Sequence, residues 1–177
     1  MKTKLFKNLI FTVALFISVA TTSQLNAQNA LSGVENTKDY SSMVLIYMDK
    51  DLSVFANLLI LSGLDTSLAF MNNDHTVFVP NNEAFADMSI EKFAELTNPN
   101  NRAMLVEFVN RHFTSFKIHS DELQDSSILD LDNGEKIKIW RDGNVVSVGG
   151  AVINTADIET ENGVIHVMDD FINVTSW

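Results

Sequence analysis

"HTVFVPNNEAF", His75 to Phe85, changes character halfway along. Thr76, Val77, Phe78 and Val79 are β-branched or aromatic and uncharged, the composition of a buried strand. Pro80 has no N–H to give to a ladder, so it closes that strand. Asn81 is a favoured helix N-cap, and Glu83 puts negative charge in the first turn, where the helix dipole favours it. The stretch predicts a strand that switches sharply into a helix, with Phe85 carried inward.

On the N-terminal side the pattern is helical. "SSMVLIYMDKDLSVFANLLILSGL" has a break near Asp49-Lys50-Asp51. Beyond it, Leu52, Phe55, Ala56, Leu59 and Ile60 recur at helical spacing, and Gly63 suits the C′ position. A short helix through Leu68, Ala69 and Phe70 is expected next. C-terminal to the switch, "NPNNRAMLVEFVNRHF" reads as a helix capped by Asn98 and opened by Pro99. Its face is Leu105, Phe108, Val109 and His112.

The period then changes. In "EKIKIW", Ile137 and Ile139 alternate with Lys136 and Lys138, as on a half-buried strand. Asn133-Gly134 and Asp142-Gly143 are tight-turn signals on either side. "AVINTADI" and "GVIHVMD" complete a strand-rich end. Helices first and hairpins later predict an α+β domain with an antiparallel sheet.

The first residues are a separate unit. Lys2, Lys4 and Lys7 precede an apolar run, Leu9–Ala20, which is shorter than the roughly 20 residues a membrane span needs. This is a secretory signal pattern, with cleavage after Ala27 or, alternatively, after Ala20. Residues 1–27 are read as signal peptide, 28–40 as linker and 41–174 as one domain. Loss of the three leader lysines takes the net charge from −11 to −14. Such an acidic balance repels phosphate backbones and argues against nucleic-acid binding and against docking on anionic lipid. The absence of cysteine excludes disulfides, thiolate nucleophiles and a lipid-modified N-terminal cysteine.

Two separated stretches carry a family resemblance. "TVFVPNNEAF" (Thr76–Phe85) resembles the first signature of fasciclin-like domains, T-[VI]-F-A-P-T-[DN]-x-A-F. "ADIETENGVIHVMDDFI" (Ala156–Ile172) resembles the second, D-I-x-x-x-N-G-x-[IV]-H-x-[IVM]-D. Between them, "LVEFVNRHF" resembles the family's helix ending in a Tyr-His pair; His112 matches, and Arg111 stands in place of the tyrosine. The resemblance spans about Lys38 to Val174. It departs at "FINVTSW", which lacks the Leu-x-Pro ending often seen in the family. It implies a β-sandwich of two steeply crossed sheets flanked by helices, in exported proteins that act in adhesion, matrix contact or ligand binding, with no general catalytic activity. Thr76, Phe78, Pro80, Phe85, His112, Asn162, Gly163 and His166 are its motif positions, all read as structural. In animal members an Asp-Ile pair before the second signature has been linked to integrin binding, so Asp157 and Ile158 are the candidate partner-binding residues.

No G-x-S-x-G elbow, Walker loop, G-x-G-x-x-G or H-E-x-x-H occurs. "DLDNGE" (Asp130–Glu135) fails as a calcium loop, because Gly134 sits at a ligand position and Arg141 at the closing glutamate; a hairpin turn is the better reading. His112 on its apolar helix face, and His166 beside Val164 and Met168, are expected as buried, hydrogen-bonded core groups. Asn173-Val174-Thr175 fits the N-glycosylation pattern and, behind a bacterial-looking leader, is read as chance. No catalytic residue, metal or cofactor is assigned. The expectation is a secreted or periplasmic binding module whose partner is protein or polysaccharide at the cell surface, with no membrane insertion after signal cleavage. The alternatives are an envelope hydrolase without a recognisable motif, and a partner of an envelope sensor.

Overall fold

A computed structural model of the chain describes residues 30–69 and 74–173. The leader, both cleavage sites, Phe70 and most of the Asn173 glycosylation pattern lie outside the described residues. Within 28–40, the segment read as a linker, two 3-10 turns form at Ala30–Gly33 and Thr37–Asp39. Leu31 and Val34 rest against the core there.

The helices begin and end where the caps dictate. The Ser41 hydroxyl accepts from the Val44 N–H and starts α1 (Ser42–Met48). Asp49 closes it, and its carboxylate accepts from the Asp51 N–H to open a 3-10 turn (Lys50–Leu52) leading into α2 (Ser53–Ser62). Gly63, at φ +73°, stops α2 in the left-handed conformation glycine tolerates. Leu52, Phe55, Ala56 and Leu59 are buried as expected, but Ile60 is 51% exposed. The buried arc is centred on Phe55, Leu59 and Ser62, and at 3.6 residues per turn Ile60 falls just beyond its edge. α3 (Asp65–Ala69), α4 (Ile90–Leu96) and α5 (Arg102–Asn110) complete the helices. Asn98 caps a 3-10 turn, Pro99–Asn101, that precedes α5, so the Asn-Pro signal starts this turn and not the α-helix itself.

Among the described residues, seven strands form one sheet: β1 (Thr76–Pro80), β2 (Phe113–Thr114), β3 (Ile128–Asp130), β4 (Lys136–Asp142), β5 (Val145–Val148), β6 (Ala151–Glu159) and β7 (Val164–Met168). Their order is β2-β1-β7-β6-β5-β4-β3. One expectation is corrected here. The sheet is mixed, because β1 and β7 run parallel. Strand pairing is continuous from β2 to β3, so what the described residues show of the expected β-sandwich is one curled sheet flanked by helices. β6 alone joins the two halves, and register shifts at Ile153/Thr155 and Thr155/Ile158 interrupt its ladder with β7. Such bulges bend a strand, so the sheet curls on itself. Val77, Val79, Ile165 and Val167 face the helices, while Phe78 and Met168 face Ile137, Ile139, Val146 and Val148 inside the curl. β1 and β7 are thereby buried on both sides, and every residue of each is buried.

The strand-to-helix switch is a joint between sheet and helices. Pro80 breaks no ladder bond. The Phe78 N–H donates to the His112 carbonyl on the β2 side, and Pro80 points the same way, beyond the end of β2. Asn81 returns its N–H to Met168 O, and its side chain accepts from the Ala84 N–H at 3.0 Å. The expected helix is one 3-10 turn, Glu83–Phe85, held by bonds to the third residue back. It still delivers Phe85 to the rings of Phe93, Phe108 and Phe171. Asn82 reaches across to α2, which has no side-chain cap of its own. Its carbonyl oxygen accepts from the Val54 N–H at 2.9 Å, and its amide donates to Lys50 O at 2.8 Å. Asn82→Ala is therefore expected to destabilise the domain by about 1–2 kcal/mol, the range for a lost cap. Urea melts check this, and an unchanged midpoint would refute the remote cap.

Candidate functional site

The side chains with chemistry to offer gather around the β6–β7 turn. His75 precedes β1 and Ser42 opens α1. Ser42 Oγ lies 2.9 Å from His75 Nε2 and 2.8 Å from Thr160 Oγ1. Asn162 Oδ1 accepts from the Ser42 N–H at 3.0 Å. This is the spacing of a nucleophile and its base, but Ser42 and His75 are each only 1% exposed. The cluster ties helix, strand and turn together behind a closed surface. Asn162 and Gly163 lie between β6 and β7. The reason for the glycine is the approach of His75: a Cβ at Gly163 would lie 2.9 Å from two atoms of its ring and closer still to its carbonyl oxygen.

His112 and His166 are both fully buried. His112 Nδ1 donates to Phe108 O at 2.8 Å, and Nε2 accepts from the Ile172 N–H at 3.2 Å. Its ring meets Phe55 edge-on at 5.6 Å. Burial pushes its pKa down to about 4; the bond to Phe108 opposes the shift and the nearby Arg111 charge adds to it. His166 Nε2 donates to Ile118 O at 2.9 Å and Nδ1 accepts from the Asp157 N–H at 3.2 Å. Burial lowers its pKa as well.

Asp157 sits in the β6 irregularity at φ +60°, a conformation Asp adopts more readily than most residues. Its carboxylate accepts from the Ser120 N–H at 2.7 Å and the Ser120 hydroxyl at 2.5 Å. Burial raises its pKa, but the Ser120 bonds and the neighbouring His166 and His119 outweigh this and hold it below the usual carboxylate range. His119 lies 3.6 Å from both Asp157 and Glu159, through opposite ring nitrogens. Ile158 turns the other way, against the helical core. The two candidate partner-binding residues are thus adjacent in sequence and engaged on opposite sides of the sheet.

Arg111, the departure from the family's tyrosine, has a partner that sequence reasoning missed. Its guanidinium bonds both carboxylate oxygens of Glu135 at 2.9–3.0 Å, and Glu107 at 2.5 Å. The Glu135 bond chiefly raises the Arg111 pKa and lowers that of Glu135. The pair fastens the end of α5 to the β3–β4 turn.

A cleft of about 240 Å³ lies beside the strand-to-helix joint, with Asp49, Asp51, Asn81, Asn82 and Glu83 lining it over apolar Leu52 and Val167. A wider groove of about 400 Å³ runs between α4 and α5 over Met88, Met104 and Phe108. Among the described residues, no group of three or more His, Asp or Glu side chains is placed to hold a metal ion. None of their helices is long and apolar enough to cross a membrane. On the outer face of the sheet, Trp140 and Ile128 are each 50% exposed. Lys138 stands opposite Ile128, and Lys136 is paired with Asp130.

The family model of the Fasciclin domain matches residues 50–174. Protein sll1483 of Synechocystis is 34% identical over 97 residues, covering 55% of this chain and 53% of that protein. The chain thus spans about half the length of this relative. A protein of Plasmodium falciparum named heme ligase is 28% identical over 149 residues, 71% of this chain and 72% of that protein. The solved FAS1 domain pair of the insect cell adhesion molecule fasciclin I superposes with a TM-score of 0.58 at 18% identity, covering 76% of this chain and 51% of that one.

Proposed function

The chain belongs to the fasciclin domain family, and on that premise we propose that it is a non-catalytic binding module, exported to the periplasm or beyond, that contacts protein or polysaccharide at the cell surface. Fasciclin domains act generally in adhesion and binding, as in the insect adhesion molecule. One observation carries the non-catalytic reading. Of the groups suited to catalysis, His112, His166 and the Ser42–His75 pair are buried and engaged in joining one element to another, which leaves the part-exposed His119 beside Asp157 and Glu159. A haem-directed reading, raised by the name of the Plasmodium relative, finds little support in His112 and His166, which use both ring nitrogens on main-chain groups.

The contact surface we favour is the outer face of β3 and β4. Trp140 and Ile128 stand half exposed there beside Lys138, and an exposed tryptophan is a frequent anchor in interfaces. Asp157 and Ile158 suit it less, since a partner would have to displace Ser120 from the one and the helical core from the other. Retention of the purified protein on immobilised envelope polysaccharide and on surface-protein fractions tests the reading. The double variant Trp140→Ser/Ile128→Ser is expected to weaken retention at least about ten-fold while leaving the fold intact. Equal retention of parent and variant would rule this face out, and turnover of the immobilised material would rule out a non-catalytic module.

A further inference from the structure

The chain contains two Asn-Gly pairs, Asn133-Gly134 and Asn162-Gly163. Such pairs share one hazard. The backbone nitrogen of the glycine can attack the asparagine Cγ, unhindered by a side chain. An N–Cγ bond forms, the Cγ–Nδ2 bond breaks, and ammonia leaves carrying the backbone proton. Water then opens the succinimide to aspartate or isoaspartate. By sequence the two pairs are equivalent, and the fold makes them unequal.

Asn162 is held by tertiary contacts. Its Oδ1 accepts from the Ser42 N–H at 3.0 Å, the Ser42 hydroxyl at 3.2 Å and the Thr160 hydroxyl at 3.3 Å. Gly163 lies tight against His75. Closing a ring at Asn162 means pulling the turn away from α1. Asn133 is exposed and its side-chain bonds are local: Oδ1 accepts from the Glu135 N–H at 3.0 Å, and Nδ2 donates to Glu135 Oε2 at 2.7 Å. No atom lies within 4 Å of where a Cβ would stand on Gly134, whose N–H is held by Leu131 O at 2.9 Å. Freeing that nitrogen requires opening one surface turn, and exposed turns open at far lower cost than packed elements.

We infer that Asn133 is a site of spontaneous deamidation in the folded protein and that Asn162 is protected by its bonds to Ser42 and Thr160. The product bears on the Arg111 clamp. A donor to Glu135 becomes a carboxylate facing the Glu135 carboxylate, in competition for Arg111. An isoaspartate also lengthens the backbone of a turn closed by the Leu131 N–H to Glu135 O bond at 2.9 Å. Chemical ageing of this domain therefore begins where the end of α5 is fastened to the hairpin.

The test is to hold the full chain in warm, mildly alkaline buffer and follow the amide-to-acid mass change and isoaspartate content of its peptides. A parallel sample is kept in concentrated urea. In native buffer, conversion at Asn133 is expected to run at least about ten-fold faster than at Asn162, with the two rates converging in urea. Equal rates in native buffer would overturn the inference. So would conversion at Asn133 no faster than at Asn144, which precedes a valine. A ratio that persisted unchanged in urea would assign the difference to local sequence and overturn the protection ascribed to the fold.

Discussion

Acidification from neutral pH to about pH 4 is expected to remove on the order of 3 kcal/mol of stability through His112 alone. Its folded pKa is about 4, against an ordinary value of 6.5, and each pKa unit corresponds to about 1.4 kcal/mol. Between those values the unfolded chain binds a proton that the folded chain refuses, so stability rises with pH across the window. The contribution is complete above pH 6.5, declines as pH falls, and is gone below about 4. His166, lowered by the same cause, acts in the same direction. Asp157 and Glu135, held below the usual carboxylate range, contribute fully above the ordinary carboxylate values and lose that contribution progressively as the pH falls from those values through their folded ones. Protonating the many acidic groups relieves self-repulsion and opposes the loss. Urea midpoints at neutral pH and near the bottom of the window measure the balance, with His112→Gln beside the parent. The variant is expected to be weaker at neutral pH and to have the flatter profile. Parallel profiles for the two proteins would show that His112 is not the group responsible.

Gly163→Ala is expected to destabilise the domain by about 3 kcal/mol or more, the upper range for overpacking. The new methyl would stand 2.9 Å from Cδ2 and Nε2 of the His75 ring and closer still to the His75 carbonyl. That carbonyl accepts from the Val164 N–H at 2.9 Å, at the entry to the β1–β7 ladder. The imidazole cannot swing aside without leaving Ser42. Relief therefore requires breaking either a ladder bond or the buried cluster. Gly33→Ala is the control, because no atom lies within 4 Å of its Cβ position, and it is expected to be nearly neutral. Thermal and urea melts of both decide the matter. A Gly163→Ala shift as small as the control's would mean that His75 and the turn are free to separate.

What the sequence determined by itself was whatever physics acts over a few residues. The close of β1 at Pro80, the break at Asp49–Asp51, the stop at Gly63, the core-facing side of Leu105, Phe108 and Val109 on α5 with His112 just past its end, and the alternation in β4 all follow from caps, proline chemistry and periodicity. Each is decided within one or two turns of chain. The burial of His112 was legible for the same reason, since the period of a helix assigns a side, whereas His166 lies in a strand buried on both faces, where period assigns none. Tertiary structure decided the rest. Direction and curl of the sheet depend on bulges in β6 and on the pairing of β1 with a strand almost ninety residues later, as Thr76 with Val164. Local spacing carries no record of such a partner. The same holds for Ser42 with Thr160, 118 positions apart, for Asn82 capping a helix 28 positions before it, and for Arg111 with Glu135. A hydroxyl, an amide or a guanidinium in sequence states only what it can bond. Which partner it meets is set by where the chain's packing brings the two together, because the free energy of each bond depends on burial that exists only once the fold has formed.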